Sequence, residues 1–259
     1  MSPWWRENII ARLAADTVTL CRRSRGPRRR ELERQTLTAP GSDATTWQNI
    51  VAAMGAHLEA RKWRNANLCV MLRGSLVRYL VLPWIDRLSD SDALAYAQQS
   101  FVKLHGAAAE SWAVCVNEPV RGMPRVAAAV DRELIAALRA QARGLRLNLS
   151  SVQPELCAGV RELARIDSRL TGWLAVIEAG HSCIARFSEG KCMTVRTARF
   201  GGSAELHLLT QLEQDALCAG IESASGKFYV HAGSPLDQSA LRRHGWRTLP
   251  LPLPGRDIT

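Results

Sequence analysis

Residues Trp173 to Arg199 constrain this chain more than any other stretch. Trp173-Leu-Ala-Val-Ile-Glu is a continuous apolar run, Ala179-Gly180 turns it, and Ser182 to Phe187 returns. Ser188-Glu189-Gly190 turns the chain again and Cys192 to Arg199 completes a third strand. Tight turns between three strands give a meander. An apolar run without alternation needs cover on both faces, which requires helices on at least one side of the sheet. A glycine in such a turn also lets backbone N–H groups come close to a ligand phosphate.

The same plan is legible from residue 9. Ile9 to Ala14, Thr17 to Arg23 and Leu32 to Ala39 read as three short strands, and Pro40-Gly-Ser-Asp breaks the pattern. Asp43 or Thr45 is placed to cap a helix whose Trp47, Ile50, Val51, Met54 and Leu58 share one face. Leu68 to Leu72 is a buried strand, Gly74 a turn, and Leu76 to Leu82 another strand. Leu88-Ser-Asp-Ser-Asp starts a helix with acids where the macrodipole favours them, and Leu94, Ala97, Phe101 and Leu104 form its apolar stripe up to Gly106. Strands follow at Trp112 to Val116 and Val126 to Val130, and Asp131 caps a helix that Gly144 closes at the C-cap. Leu145, Leu147, Leu149 and Val152 alternate as a half-exposed strand, and Pro154 opens a further helix. After the meander come a helix with Leu206, Leu209 and Leu212, a strand at Phe228 to His231, a short helix near Leu236 to Leu241, and a last strand at Trp246 to Leu251. Three strands, a helix, then further strands and helices therefore occur twice, with extra material in the first copy.

At 259 residues and 47% hydrophobic content the chain can bury a sizeable core. Its apolar runs fall far short of the roughly 20 residues that span a bilayer, and Met-Ser-Pro-Trp-Trp-Arg-Glu does not read as a signal peptide. A soluble, cytoplasmic protein is expected. Seven cysteines without a C-x-x-C pair read as reduced core thiols, with no metal site. Gly180-His-Ser182-Cys-Ile184 lacks the second glycine of a nucleophile elbow and leads into a strand, so no hydrolase is indicated.

Residues 68 to 163 resemble the PilM family of type IV pilus proteins and the cytoplasmic domain of GspL in type II secretion, both branches of the actin-like ATPase superfamily. The resemblance rests on Leu82-Pro83, the acidic helix start Leu88-Ser-Asp-Ser-Asp, the helix to Leu104 with Trp112 to Val116, Val126 to Leu138, and Ser151-Val-Gln-Pro154. Arg199-Phe-Gly-Gly-Ser resembles the turn after the third strand of the family's second lobe. This likeness implies an α/β, bilobed actin-like fold (a duplicated ribonuclease-H-like plan) with mixed sheets flanked by helices. It implies a first lobe over 1–153 with a small inserted subdomain at about 88–120, and a second, shortened lobe over 154–259. It also implies a cytoplasmic scaffold, peripheral to the inner membrane, that docks the tail of a membrane protein or an assembly ATPase. Self-association is left open.

ATP-binding members of that superfamily use an Asp and glycines in the first hairpin of each lobe and a late glycine pair. The matching positions here are Asp16, Glu178, Gly180, Gly201, Gly202 and Gly233. The first hairpin, Arg12-Leu-Ala-Ala-Asp16-Thr17, has no glycine, the second has a longer acid, and the late loop His231-Ala-Gly233-Ser has a single glycine. The interval between the Leu206 to Leu212 helix and Lys227 is too short for the helices that wall off the base. A non-catalytic protein without cofactor is expected, with a nucleotide-dependent switch as the alternative.

Net charge is +10, and residues 1–40 carry nine arginines against four acids. Arg22, Arg23, Arg25, Arg28, Arg29 and Arg30 lie on one hairpin turn and suit an anionic partner, either a membrane surface or an acidic protein. A basic nucleic-acid-binding protein is the other class, and it is disfavoured because no aromatic side chains interleave with the arginines to stack bases.

Overall fold

The computed structural model describes residues 6–26, 30–39, 47–178, 180–221, 227–232, 236–237 and 239–251. From the N-terminus run β1 (Asn8–Leu13), β2 (Thr17–Arg23), β3 (Glu31–Thr38), α1 (Trp47–Ala60) and β4 (Asn67–Leu72). Then follow β5 (Arg78–Leu82), α2 (Asp90–His105), β6 (Trp112–Val116), β7 (Arg125–Asp131), α3 (Arg132–Gly144), β8 (Asn148–Pro154) and α4 (Glu155–Ile166). The remainder is β9 (Gly172–Glu178), β10 (His181–Ser188), β11 (Lys191–Arg199), α5 (Ala204–Ala219), β12 (Lys227–Ala232), α6 (Ser239–Arg243) and β13 (Arg247–Pro250).

Two five-stranded sheets share one plan. The first has the order β3-β2-β1-β4-β8 and the second β11-β10-β9-β12-β13. In each, three antiparallel strands are followed by two that run parallel to the first strand of the meander. A three-stranded sheet, β5-β7-β6, comes from the chain between β4 and α3. By its contacts the chain divides into two units. One is Met1–Val77, Ser111–Ala113 and Val130–Glu155, and the other is Arg78–Glu110, Val114–Ala129 and Leu156–Thr259.

In the first unit α1 packs on α3 and β3, and α3 on β8. Ile50, Val51, Met54 and Leu58 are buried, as their 3.6-residue spacing predicts. In the second unit β9 is buried along both faces. Trp173, Ala175 and Ile177 join Leu208, Leu212 and Ala216 of α5 in one core cluster, while Leu174 and Val176 are buried on the opposite side. The first strand of the meander therefore has the two-sided cover that its unalternating apolar run demands, while β11 at the sheet edge is half-buried to exposed.

Several local expectations are corrected. Gly74–Leu76 is a 3-10 turn, so the strand expected from Leu76 begins at Arg78. The buried stripe of α2 is Ala93, Ala97 and Phe101, and Leu104 is 64% exposed. Asp131 caps α3 by accepting from Glu133 N, but Gly144 is the last helical residue and Leu145 the C-cap, with Arg146 in the left-handed conformation (φ 55°). Pro154 ends β8, so α4 begins one residue later. Leu206 of α5 is 61% exposed. All seven cysteines are free, yet only Cys21 and Cys183 are buried, while Cys115, Cys157 and Cys218 are exposed. The expected cap at Asp43 or Thr45 lies outside the described residues.

Candidate functional site

The second unit holds an apolar pocket of ≈ 340 Å³. Cys115 and Val116 of β6, Tyr79 of β5, and Val126 and Ala128 of β7 form one wall. Leu156, Cys157 and Val160 of α4 form a second, and Phe187, Gly190, Cys192 and Val195 of the β10–β11 hairpin a third. The rim is the loop from Asn117 to Pro124, which supplies Val120 and Met123. That loop is held at its base. Arg125 donates from Nε and Nη2 to Asn117 O at 3.0 and 2.7 Å and pairs with Asp90 at 2.9 Å, while Val126 N donates to Asn117 Oδ1 at 2.7 Å. Val120 nevertheless stays 52% exposed.

Cys115, Cys157 and Cys192 line this pocket. Cys115 and Cys157 are open to solvent as residues, but the surrounding pocket walls desolvate all three thiols and raise their pKa, that of Cys192 to about 12. Near neutral pH they are protonated and act as small apolar surface rather than as nucleophiles. Such a pocket suits the apolar side chains of an extended peptide.

The positions matched to nucleotide loops lie elsewhere, and some of the backbone groups in those turns are bonded within the chain. In the β1–β2 turn Ala14 N donates to Thr17 O at 2.8 Å, Ala15 N to Ser75 Oγ at 3.3 Å, and Asp16 is exposed with its carbonyl accepting from Ala39 N. Glu155 lies at the ends of these strands, its side chain 3% exposed, 3.2 Å from Arg12 and 3.6 Å from Arg73. Gly180 O accepts from Phe200 N at 3.0 Å, and Arg199 Nε lies 3.0 Å from His181 Nε2. Glu178 ends β9 and is half-buried. Gly201 and Gly202 are exposed and lead into α5, whose N-terminus is closed by its own side chains. Ser203 Oγ accepts from Leu206 N at 3.2 Å and donates to Glu205, whose other oxygen accepts from Asp237 N at 2.8 Å. Gly233 lies outside the described residues. Among the described residues no group of three or more His, Cys, Asp or Glu is placed to hold a metal ion.

The arginines of the β2–β3 hairpin are divided in role. Arg22 pairs with Glu7 at 2.8 Å and lies 5.5 Å from the Trp63 ring centroid, so it is part of the fold. Arg23 is half-buried, while Arg25 and Arg30 are exposed; Arg28 and Arg29 lie outside the described residues. Sequence reasoning missed the pocket. The available signal was Val116-Asn-Glu-Pro-Val-Arg-Gly-Met-Pro124, where Val120 and Met123 interrupt an otherwise polar Gly/Pro loop.

No protein-family model matches the sequence, and no curated protein sequence does. Solved structures do match in shape. One is a Bacteroides thetaiotaomicron protein with actin-like ATPase fold and unknown function (TM-score 0.65, 12% identity, 93% of this chain and 87% of that one). Another is the PilM–PilN type IV pilus biogenesis complex (TM-score 0.64, 15% identity, 95% and 88%). A third is the cytoplasmic domain of EpsL, an inner-membrane component of the type II secretion system of Vibrio cholerae (TM-score 0.61, 12% identity, 95% and 90%). With two sheets of identical strand order and these likenesses, the chain has the actin-like fold.

Proposed function

We propose that this chain is a non-catalytic docking scaffold in a cytoplasmic assembly platform of the type IV pilus or type II secretion kind. Its pocket in the second unit receives an apolar segment from the cytoplasmic tail of an inner-membrane protein. The observation that carries this reading is the apolar pocket walled by four separate stretches of chain and lined by protonated thiols. Two further facts support it: the N–H groups of Ala14 and Ala15 are already bonded within the chain, and the start of α5 is capped by Ser203 and Glu205. Two of the similar structures come from such machines, one of them a complex with PilN. Among the described residues no helix is long and apolar enough to cross a membrane. In this reading a membrane partner and exposed basic groups such as Arg25 and Arg30 hold the chain at the inner membrane. The repeated strand order supports two lobes of common descent, a first over 1–153 with a small inserted subdomain at about 88–120 and a second over 154–259.

The test uses synthetic peptides copying the cytoplasmic tails of single-span membrane proteins encoded beside this chain. Fluorescence anisotropy should find one that binds, and Val160→Asp, which puts a charge on the α4 wall, should abolish the signal while the thermal midpoint holds. Calorimetry with Mg-ATP is the counter-experiment. Tight binding that disappears in Glu178→Ala would overturn the scaffold reading in favour of a nucleotide switch.

A further inference from the structure

The first unit carries a second surface that peptide docking in the pocket does not use. β8 is the last strand of its sheet, so along one side its backbone groups have no strand beyond them among the described residues. α3 packs against β8. Between helix and strand lies an open groove of ≈ 580 Å³, to which Ala136, Arg139 and Arg143 contribute from α3 and Asn148 and Leu149 from β8. Ala136, Arg139 and Arg143 follow one another at helical spacing, so the small Ala136 leaves the room and the two guanidinium groups border it.

The charge in this groove is uncompensated. None of its lining residues is acidic. Arg139 and Arg143 are exposed and form no ion pair with any described residue, whereas Arg22, Arg34 and Arg61 of the same unit pair with Glu7, Glu31 and Glu33. The spacing selects a ligand geometry as well as a sign. Four residues of helix advance about 6 Å. Two residues of an extended strand advance about 6.6 Å, so carboxylates at alternate positions of a strand come into step with Arg139 and Arg143.

We propose that this groove binds an extended acidic segment of a partner protein, with acids at alternate positions, laid along the free edge of β8. The strand edge supplies main-chain hydrogen bonds, and the arginines choose the sign and fix the register. Binding weakens as salt rises, because the pairs are solvent-exposed.

The probe is a fluorescein-labelled decapeptide of alternating Glu and Val, titrated with the full chain at low salt. A peptide of the same composition with its glutamates in one block serves as control. The expected result is tighter binding of the alternating peptide, lost by at least about tenfold in Arg139→Glu/Arg143→Glu. Arg87→Glu/Arg247→Glu, an exposed pair in the other unit that changes net charge equally, should stay within about twofold of the parent. Hydrogen exchange should slow over residues 148–151 when peptide is bound. Three outcomes overturn the proposal: no binding by the parent chain, equal losses in both double variants, or no preference between the peptides. In those cases the two arginines merely guard a sheet edge against pairing. Both substituted pairs are exposed, so thermal midpoints near the parent value keep the comparison valid.

Discussion

Trp173 donates its indole N–H to Asp215 at 2.9 Å, and both residues are buried. The same carboxylate lies 3.0 Å from Arg186 Nε and 3.5 Å from Arg196 Nε, and accepts from Thr194 Oγ1 at 3.2 Å. One acid on α5 thereby ties the helix to all three strands of the meander. Asp215→Ala removes the partner of a largely buried guanidinium and should cost about 3–5 kcal/mol, as loss of one half of a buried ion pair does. Urea denaturation measures this. Near-ultraviolet circular dichroism should change too, because Trp173 packs edge-on against Trp246 with ring centroids 5.0 Å apart. A loss below about 1 kcal/mol would mean that the four contacts do not act as a unit.

Thiol reactivity should follow burial. Cys218 is exposed near the end of α5, whereas burial holds the Cys192 thiol at about 12. Maleimide at pH 7.5, read by mass spectrometry, should modify Cys218 well before Cys192. A peptide seated in the pocket should slow modification of Cys115 and Cys157, which line it. Cys218, outside the pocket, should be unaffected.

Stability should fall on mild acidification. Burial lowers the pKa of His207, which lies 2.8 Å from Ser182 and stacks on Phe200 at 4.5 Å, and burial likewise lowers that of His57. Below the ordinary value of 6.5 the unfolded chain binds protons that these folded imidazoles resist, so their contribution is present above that pH and lost below it. Urea midpoints should drop between pH 7.5 and 5.5, and less so in His207→Gln. The bond from Arg34 holds Glu31 at about 2, so its contribution persists until pH falls from 4.5 toward that value.

Gly190 is a position where the β10–β11 hairpin tolerates little change. Its φ is 78°, its N–H donates to Leu170 O at 2.9 Å, and an added Cβ would press on the Ser168 carbonyl. Gly190→Ala should lose at least about 1–2 kcal/mol from the backbone conformation alone. It should also weaken peptide binding, because Gly190 lines the pocket.

What could be read in the sequence was local. The meander, the Asp131 cap and the buried face of α1 each depend on side chains a few positions apart, and each forms nearly where its pattern places it. The stripe of α2 was misplaced because Ala93 and Ala97 let the helix approach closely, which brings Phe101 inward and leaves Leu104 outside. The pocket was not legible because its walls come from β5–β7, α4 and the β10–β11 hairpin, stretches far apart in the chain with no common period. Arg22 looked like part of a basic patch because its partner Glu7 lies 15 positions away. The turn Gly201-Gly202-Ser203 leads into a helix start that Ser203 caps by accepting from Leu206 N, a local pairing that three-residue spacing makes possible.

The repeated strand order also sets a timetable for folding. In each five-stranded sheet the antiparallel strands close onto near neighbours, whereas β4 must return to β1 and β12 to β9 across long intervals. Loop-closure entropy delays the distant pairings, so a ribosome releases two ribbons that each await a fourth strand. During that wait the apolar margins of β1 and β9 are bare. The nascent chain is then most prone to stick to its own copies, and chaperone engagement should concentrate in those two intervals.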